Sequence, residues 1–149
     1  KALKSTNFPT KSTIFAALSI KIMKEIVYIF FGGGIGSVLR YLAQISVNEK
    51  MSSVGFPFSW GTFIVNITGS FFIGLFYTIS ERWNLSMETR LFLTVGLCGG
   101  FTTFSTFSND GLSLLKGEFY GTFLLYTLLS IIGGLLAVFV GGYTGKLIG

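Results

Sequence analysis

The sequence contains no histidine, one cysteine (Cys98), two prolines and few charges, with 11% of its 149 residues being Asp, Glu, Lys or Arg. A soluble domain carries about 25%. Each shortage closes off a chemistry. Without histidine there is no imidazole base, no Cys–His nucleophile and no zinc site of the usual donor sets. One cysteine forbids an intrachain disulfide, and Cys98, in the apolar run "LFLTVGLC", reads as a small buried hydrophobe. No nucleophile–base pair is evident, so the chain does not read as an enzyme.

Charge of one sign is also scarce where it would matter. The formal net charge is +5, but Lys1, Lys4, Lys11 and Lys21 supply four of those charges. From Met23 onward seven basic residues face six acidic ones, a net of +1. No basic face remains to grip phosphates, which excludes a nucleic-acid partner.

What the sequence has in quantity is apolar length. Half of the residues are hydrophobic, and mean hydropathy is +0.70. Four spans follow one another, roughly Ile26–Val47, Phe58–Ser80, Leu91–Leu115 and Phe119–Tyr143. Each is long enough to cross about 30 Å of hydrocarbon at about 1.5 Å per residue. The connections "NEKMSSVGFP", "ERWNLSMETR" and "KGE" leave no room for an extramembrane domain. The reading is an all-α, multi-pass protein of the cell (inner or plasma) membrane, with the lipid bilayer as solvent and both termini on one side. Pro57 is placed at the start of span two, and Trp60 and Trp83 flank that span as interfacial anchors. Residues 1–22 differ in character from the rest. Their apolar run "IFAALSI" is too short to span, and "MKEIVYIFF" looks like a start at Met23. The expected division is therefore an N-terminal extension, 1–22, and a four-helix transmembrane domain, 23–149.

Orientation is weakly marked. Counted from Met23, Lys24, Arg82, Arg90 and Lys146 lie on the termini side and Arg40, Lys50 and Lys116 on the other, a small bias under the positive-inside rule. A chain so balanced is able to insert both ways, and four spans are too few to enclose a pore comfortably. An antiparallel, dual-topology homodimer is the expectation.

Polar groups inside spans cost energy unless they pair or line a cavity. Asn66 sits near the middle of span two, with Thr62 one turn earlier on the same face. Tyr126 and Ser130 have the same spacing in span four. Span three carries "GGFTTFSTFS" (99–108), with five hydroxyls, three phenylalanines and two glycines. Interhelical hydrogen bonding would account for any one set, and a lined path would account for all three. Every group is an uncharged donor, and the nearest charges, Arg40 and Asp110, fall toward span ends. That pattern points to passive movement of a small anion. A dual-topology proton-coupled exporter would need an intramembrane carboxylate or histidine, and a non-transporting membrane subunit would leave the donor stripes unexplained. The glycines of "GLCGGFTT" weaken the third helix by about 1 kcal/mol each relative to alanine, so a break is expected there. Phe101 would belong to that break. Beyond it Phe104 and Phe107 share a face, while Ser105, Thr106 and Ser108 cover others.

At this point the sequence resembles a known family. "GGGIGSVLRY" (32–41), "GTFIVNITGSFFIG" (61–74) and "GLCGGFTTFSTFS" (96–108) closely resemble the Fluc/CrcB fluoride channels, and the likeness extends over all four spans. The resemblance implies a fluoride channel that relieves fluoride toxicity, built as an antiparallel homodimer with two pores. It implies a structural Na+ at the dimer centre, held by the backbone carbonyls of Gly99 and Thr102 from each subunit. It also implies a phenylalanine pair, Phe104 and Phe107, and a pore asparagine, Asn66. Thr62, Tyr126 and Ser130 match polar positions of the pathway. Arg40 matches a vestibule base, and Asp110 stands where a longer acid, Glu, is usual.

Overall fold

Once out of water, a backbone must close its hydrogen bonds locally, and helices do so. The computed structural model describes residues 10–148, and all regular structure within them is helical. The elements are α1 (Lys11–Met51), a 3₁₀ turn (Ser52–Val54), α2 (Trp60–Arg82), α3 (Met87–Leu91), a π-helical segment (Phe92–Cys98), α4 (Gly99–Phe101), α5 (Phe104–Lys116) and α6 (Tyr120–Ile148). Four stretches are long and apolar enough to cross a membrane: Leu18–Val54, Trp60–Arg82, Met87–Lys116 and Tyr120–Ile148. The protein is thus an all-helical, multi-pass membrane protein.

Two boundaries depart from the sequence reading. The first helix does not begin at Ile26. It starts at Lys11 and runs 41 residues without interruption, so residues 11–22 belong to the first helix, whose membrane-capable stretch begins at Leu18. Residues 1–9 lie outside the described residues. Lys21 and Lys24 interrupt the hydropathy but not the helix, because Lys and Ile are both tolerated in helix interiors and no Gly or Pro occurs between Lys11 and Phe31. Pro57 lies before α2, not in its first turn. Ser59, at the N-cap, makes no side-chain cap. That role passes to Asn48 of α1, whose Oδ1 accepts from Gly61 N at 3.1 Å.

Small residues set two close helix approaches. Against α6, Gly74 of α2 meets the backbone of Val138 and Gly142, and Gly141 meets the backbone of Phe71 and Leu75, so a β-carbon at either position would clash with main chain. Gly32 and Gly36 of α1 press in the same way on Phe92, Gly96, Leu97 and Phe101 of the third span. Such contacts replace the missing hydrophobic drive between helices in lipid. The small aromatic core consists of Phe58, Leu114 and fully buried Tyr126, with Trp60, Phe63, Phe107 and Phe123 packed around it. Trp60 belongs to this cluster, 4.5 Å from Phe58 by ring centroids, whereas Trp83 is exposed.

Candidate functional site

The site grows from an irregularity in the third span. After the wide π segment, α4 ends at Phe101, and Thr102 (φ −82°, ψ 158°) and Thr103 (φ −149°, ψ 114°) are extended before α5 resumes at Phe104. Gly96, Gly99, Gly100 and Phe101 all remain helical. The residues that leave the helix are two β-branched threonines, which suit extended backbone. Thr103 then caps α5, its hydroxyl accepting from Thr106 N at 3.2 Å.

Extended residues lose helical partners, and Asn66 of α2 supplies replacements. Its Oδ1 accepts from Thr103 N at 2.8 Å, and its Nδ2 donates to Thr103 O at 3.1 Å. The carboxamide thus pairs with both backbone groups of one residue, at the cost of one of its two N–H groups. Asn66 lines a cavity of about 300 Å³ with Thr102, Thr103, Phe104, Phe107 and Ser130, and no ionisable side chain borders it. Ser130 Oγ is buried there without a hydrogen-bond partner.

The two phenylalanines are in different situations. Their ring centroids are 5.7 Å apart, but Phe104 is 80% exposed while Phe107 is half-buried and packs 5.2 Å from Tyr126. Phe107 is tied to the aromatic core, and Phe104 is bare on this single chain.

A second chamber of about 510 Å³ lies on the α1 side, lined by Tyr41, Gln44, Asn48, Thr62, Thr106 and Asp110 among others. Buried Thr62 accepts from Gln44 Nε2 at 3.2 Å, and the Tyr126 hydroxyl donates to Asp110 Oδ2 at 3.3 Å. The chambers adjoin at a hydroxyl pair, Thr103 Oγ1 donating to Thr106 Oγ1 at 2.9 Å. Ser105 and Ser108 border neither chamber and are exposed, and the Ser108 hydroxyl is spent on Phe104 O at 2.9 Å. Arg40 also borders neither. It reaches inward, and its Nε donates to Gly100 O at 3.1 Å.

The structure thus places Asn66, Phe104, Phe107 and Ser130 around one chamber and Thr62, Thr106 and Asp110 around another, with Tyr126 packed on Phe107 and bonded to Asp110, whereas sequence spacing pairs Thr62 with Asn66 and Tyr126 with Ser130. Sequence reasoning passed over Thr103, Gln44 and Asn48. Arg40, Gln44 and Asn48 recur every four residues, a polar stripe on one face of α1 that the spacing alone reveals. Thr103 carries the signal of an N-cap threonine before a resumed helix.

The same irregularity bears on cations. Among the described residues no group of three or more His, Cys, Asp or Glu is placed to hold a metal, so an ion here would need main-chain oxygen. In a regular helix the carbonyls of Gly99 and Thr102 would accept from the amides four residues on. Thr103 N goes to Asn66, and Thr106 N goes to the Thr103 hydroxyl. Gly100 O, by contrast, is taken by Arg40 and by Ser37 Oγ at 3.5 Å. Carbonyl oxygens released in this way are the donor type a hard cation accepts.

Comparison with known proteins agrees with this chemistry. The family described as "CrcB-like protein, Camphor Resistance (CrcB)" matches residues 27–142. A protein of Bacteroides fragilis named "Fluoride-specific ion channel FluC" is 68% identical over 124 residues, covering 83% of this chain and 98% of that protein. Proteins of the same name from Phocaeicola vulgatus and Flavobacterium psychrophilum are 52% identical over 119 residues (80% of this chain, 96% of the relative) and 44% identical over 120 residues (80% and 94%).

Proposed function

The chain belongs to the CrcB family, and from that premise we propose that it is a fluoride channel that moves the ion passively, by exchanging the water around fluoride for fixed protein donors. One observation carries the reading. The cavity around Asn66 is walled by an amide, hydroxyls and phenylalanine rings, with no charged side chain. Fluoride is small and tightly hydrated, so replacing its water calls for donors at close range. Asn66 retains one N–H beyond its bond to Thr103, and the orphan Ser130 hydroxyl offers another donor. The rings of Phe104 and Phe107 carry positive edges that tolerate an anion while their bulk excludes larger hydrated ions. The absence of fixed charge keeps the ion from being trapped.

Assembly completes the proposal. Phe104 stands 80% exposed beside the cavity, and a second, antiparallel copy would cover it. Two copies would also bring together four carbonyls, from Gly99 and Thr102 of each, around one structural Na+. The cation would supply a fixed positive potential near the pathway in a low-dielectric setting. It would be neither transported nor exchanged during conduction.

The test is efflux from liposomes containing only this protein, followed with a fluoride electrode. Fluoride should leave without an imposed proton gradient, and chloride should not. Dependence on a proton gradient, or equal chloride flux, would overturn the channel reading. Labelling a single cysteine introduced near Lys146, in a Cys98→Ser background, should report both membrane faces if the subunits are antiparallel.

A further inference from the structure

A third cavity, of about 570 Å³, lies under the connection between α1 and α2. Asp110, Ser113 and Phe119 form its other wall. It shares Asn48, Phe58, Ser59 and Asp110 with the outer chamber, so these residues form a neck between the two. The order along the chain is regular. Asn66 stands in the inner chamber, Thr62 in the outer chamber and Ser59, just before α2, in the neck. The three cavities therefore run in series, and an ion leaving the inner chamber on this side passes the neck.

The neck carries donors that no protein group uses. Gly61 N is a donor, so the Asn48 carboxamide turns its oxygen toward it, and Oδ1 accepts that bond at 3.1 Å. The amide end is left over, with two N–H groups and no partner for them among the described residues. Gly61 makes room for this arrangement, because a β-carbon there would fall 2.6 Å from Oδ1 and 3.0 Å from Cγ of Asn48. The Ser59 hydroxyl makes no cap and has no partner among the described residues either. Asn48 is exposed and Ser59 half-buried, so both are open to the space they line. The charged group of the neck, Asp110, already accepts from the Tyr126 hydroxyl at 3.3 Å. Uncharged donors facing a carboxylate across one passage hold a small anion weakly. Conduction needs that weakness, since the ion must leave as readily as it enters.

We propose that Asn48 and Ser59 form a fluoride site in the neck, where the free Asn48 amide and the Ser59 hydroxyl replace part of the ion's water as it passes between the third cavity and the outer chamber. The inference rests on the channel reading and adds a site to it. Asn48 then serves two partners through its two ends. Its oxygen holds the start of α2, and its amide holds the ion. The arrangement repeats that of Asn66, whose oxygen accepts from Thr103 N while its amide end borders the inner chamber.

Two measurements test it separately. In full-length protein labelled with ¹⁵N-asparagine, the side-chain amide pair of Asn48 is the one lost in Asn48→Asp. Fluoride added at constant ionic strength should shift that pair, and chloride should not. Ser59→Ala should raise the fluoride needed roughly three- to tenfold, the weight of one hydrogen bond. A pair that fluoride leaves unmoved, that both halides move alike, or whose response Ser59→Ala does not change, overturns the site. In liposomes, at an ionic strength high enough to screen an added charge, Asn48→Asp and Asn48→Leu should each lower fluoride efflux roughly tenfold or more, the weight of a hydrogen bond to a charged group. Their melting temperatures should part. Asp keeps an oxygen for Gly61 N and sets a negative charge at a helix N-terminus, so stability holds or rises, whereas Leu loses the cap. Efflux lost in Asn48→Leu alone would make Asn48 a cap and nothing more. Efflux lost in Asn48→Asp alone would be the work of the added charge. Either result overturns the proposal, as does loss in neither variant. Should Asn48→Leu fail to assemble, the amide spectrum decides. A wild-type protein that passes no fluoride would defeat the channel reading, and the spectrum would still decide the site.

Discussion

The two chambers share amide, hydroxyl and ring chemistry, and only one of them contains a carboxylate. Around Asn66 the walls are amide, hydroxyl and ring, without a charge, whereas the chamber beside Gln44 includes Asp110. Each has a carboxamide with one N–H already engaged, Asn66 on Thr103 O and Gln44 on the Thr62 hydroxyl. The partner makes the difference. Asn66 completes a backbone that has left its helix, so it is structurally indispensable where it stands. Gln44 bonds only a side chain, the Thr62 hydroxyl. A donor that replaces a lost helical bond and a donor that tunes a neighbour should fail differently when removed.

The largest effect should come from the inner chamber. Asn66→Leu would strand the Thr103 N–H and C=O together, at about 1–3 kcal/mol for each buried unpaired group. Fluoride efflux should fall to background, and thermal stability in detergent should drop with it. Efflux near the wild-type level would show that Asn66 is only a strut and that the chambers do not differ in the way described.

Next come the phenylalanines, where the structure sharpens a pair that the sequence treats as equivalent. Phe104→Ile and Phe107→Ile should each remove most of the efflux, because Ile keeps apolar bulk and loses the ring quadrupole. Phe107→Ile should also lower the melting temperature, since Phe107 packs on Tyr126 within its own chain. Size-exclusion chromatography of both variants checks that the assembly survives. Normal efflux with an intact assembly would reduce the rings to packing.

A smaller change is expected in the outer chamber. Asp110→Asn keeps an oxygen for the Tyr126 proton and removes a formal charge, so efflux should shift by no more than roughly threefold, about the weight of a weakened hydrogen bond. Chloride exclusion should be unaffected. Loss of selectivity in this variant would move discrimination from the inner chamber to the outer one.

The smallest effect is reserved for Thr102→Ser. The hydroxyl bond to Cys98 O, 3.0 Å in the native chain, can be remade by serine, and the carbonyl is untouched. Efflux should stay within roughly twofold, below the weight of a typical net hydrogen bond. A severe loss would mean that the threonine methyl holds the extended backbone and that side-chain shape matters at this position as well as main-chain oxygen.

Much of this molecule was legible in the sequence. Four apolar stretches with short connections leave little choice but four membrane-crossing helices, whereas the grouping of Asn66 with Phe104, Phe107 and Ser130 comes from the packing, since helical spacing pairs Asn66 with Thr62 and Ser130 with Tyr126. Where the reading failed, it had weighed hydropathy or glycine content alone. Lys21 and Lys24 lower hydropathy without ending a helix, so the first span was drawn short by its N-terminal turns. Glycines lower helix propensity, yet Gly96, Gly99 and Gly100 stay helical, because the packing of Gly96 and Gly100 against α1 and the absence of competing water outweigh about 1 kcal/mol apiece. Thr103 and Gln44 escaped notice because neither is unusual alone. Each acquires meaning only from a partner on another helix.

Composition by itself determined the solvent of this protein, its secondary structure and the exclusion of imidazole chemistry and of an intrachain disulfide, because each depends on which groups are present and how they repeat along one segment. The tertiary structure decided which donors are spent and which are free. A hydroxyl has one proton, a carboxamide two, and the partner that takes each is on a different helix, 18 residues away for Gln44 and Thr62 and 37 for Asn66 and Thr103. The approaches that bring those partners together are close at Gly61, which meets Asn48 of α1, and at Gly69, which meets Phe101 and Thr102 of the third span. No periodicity within a single span encodes them.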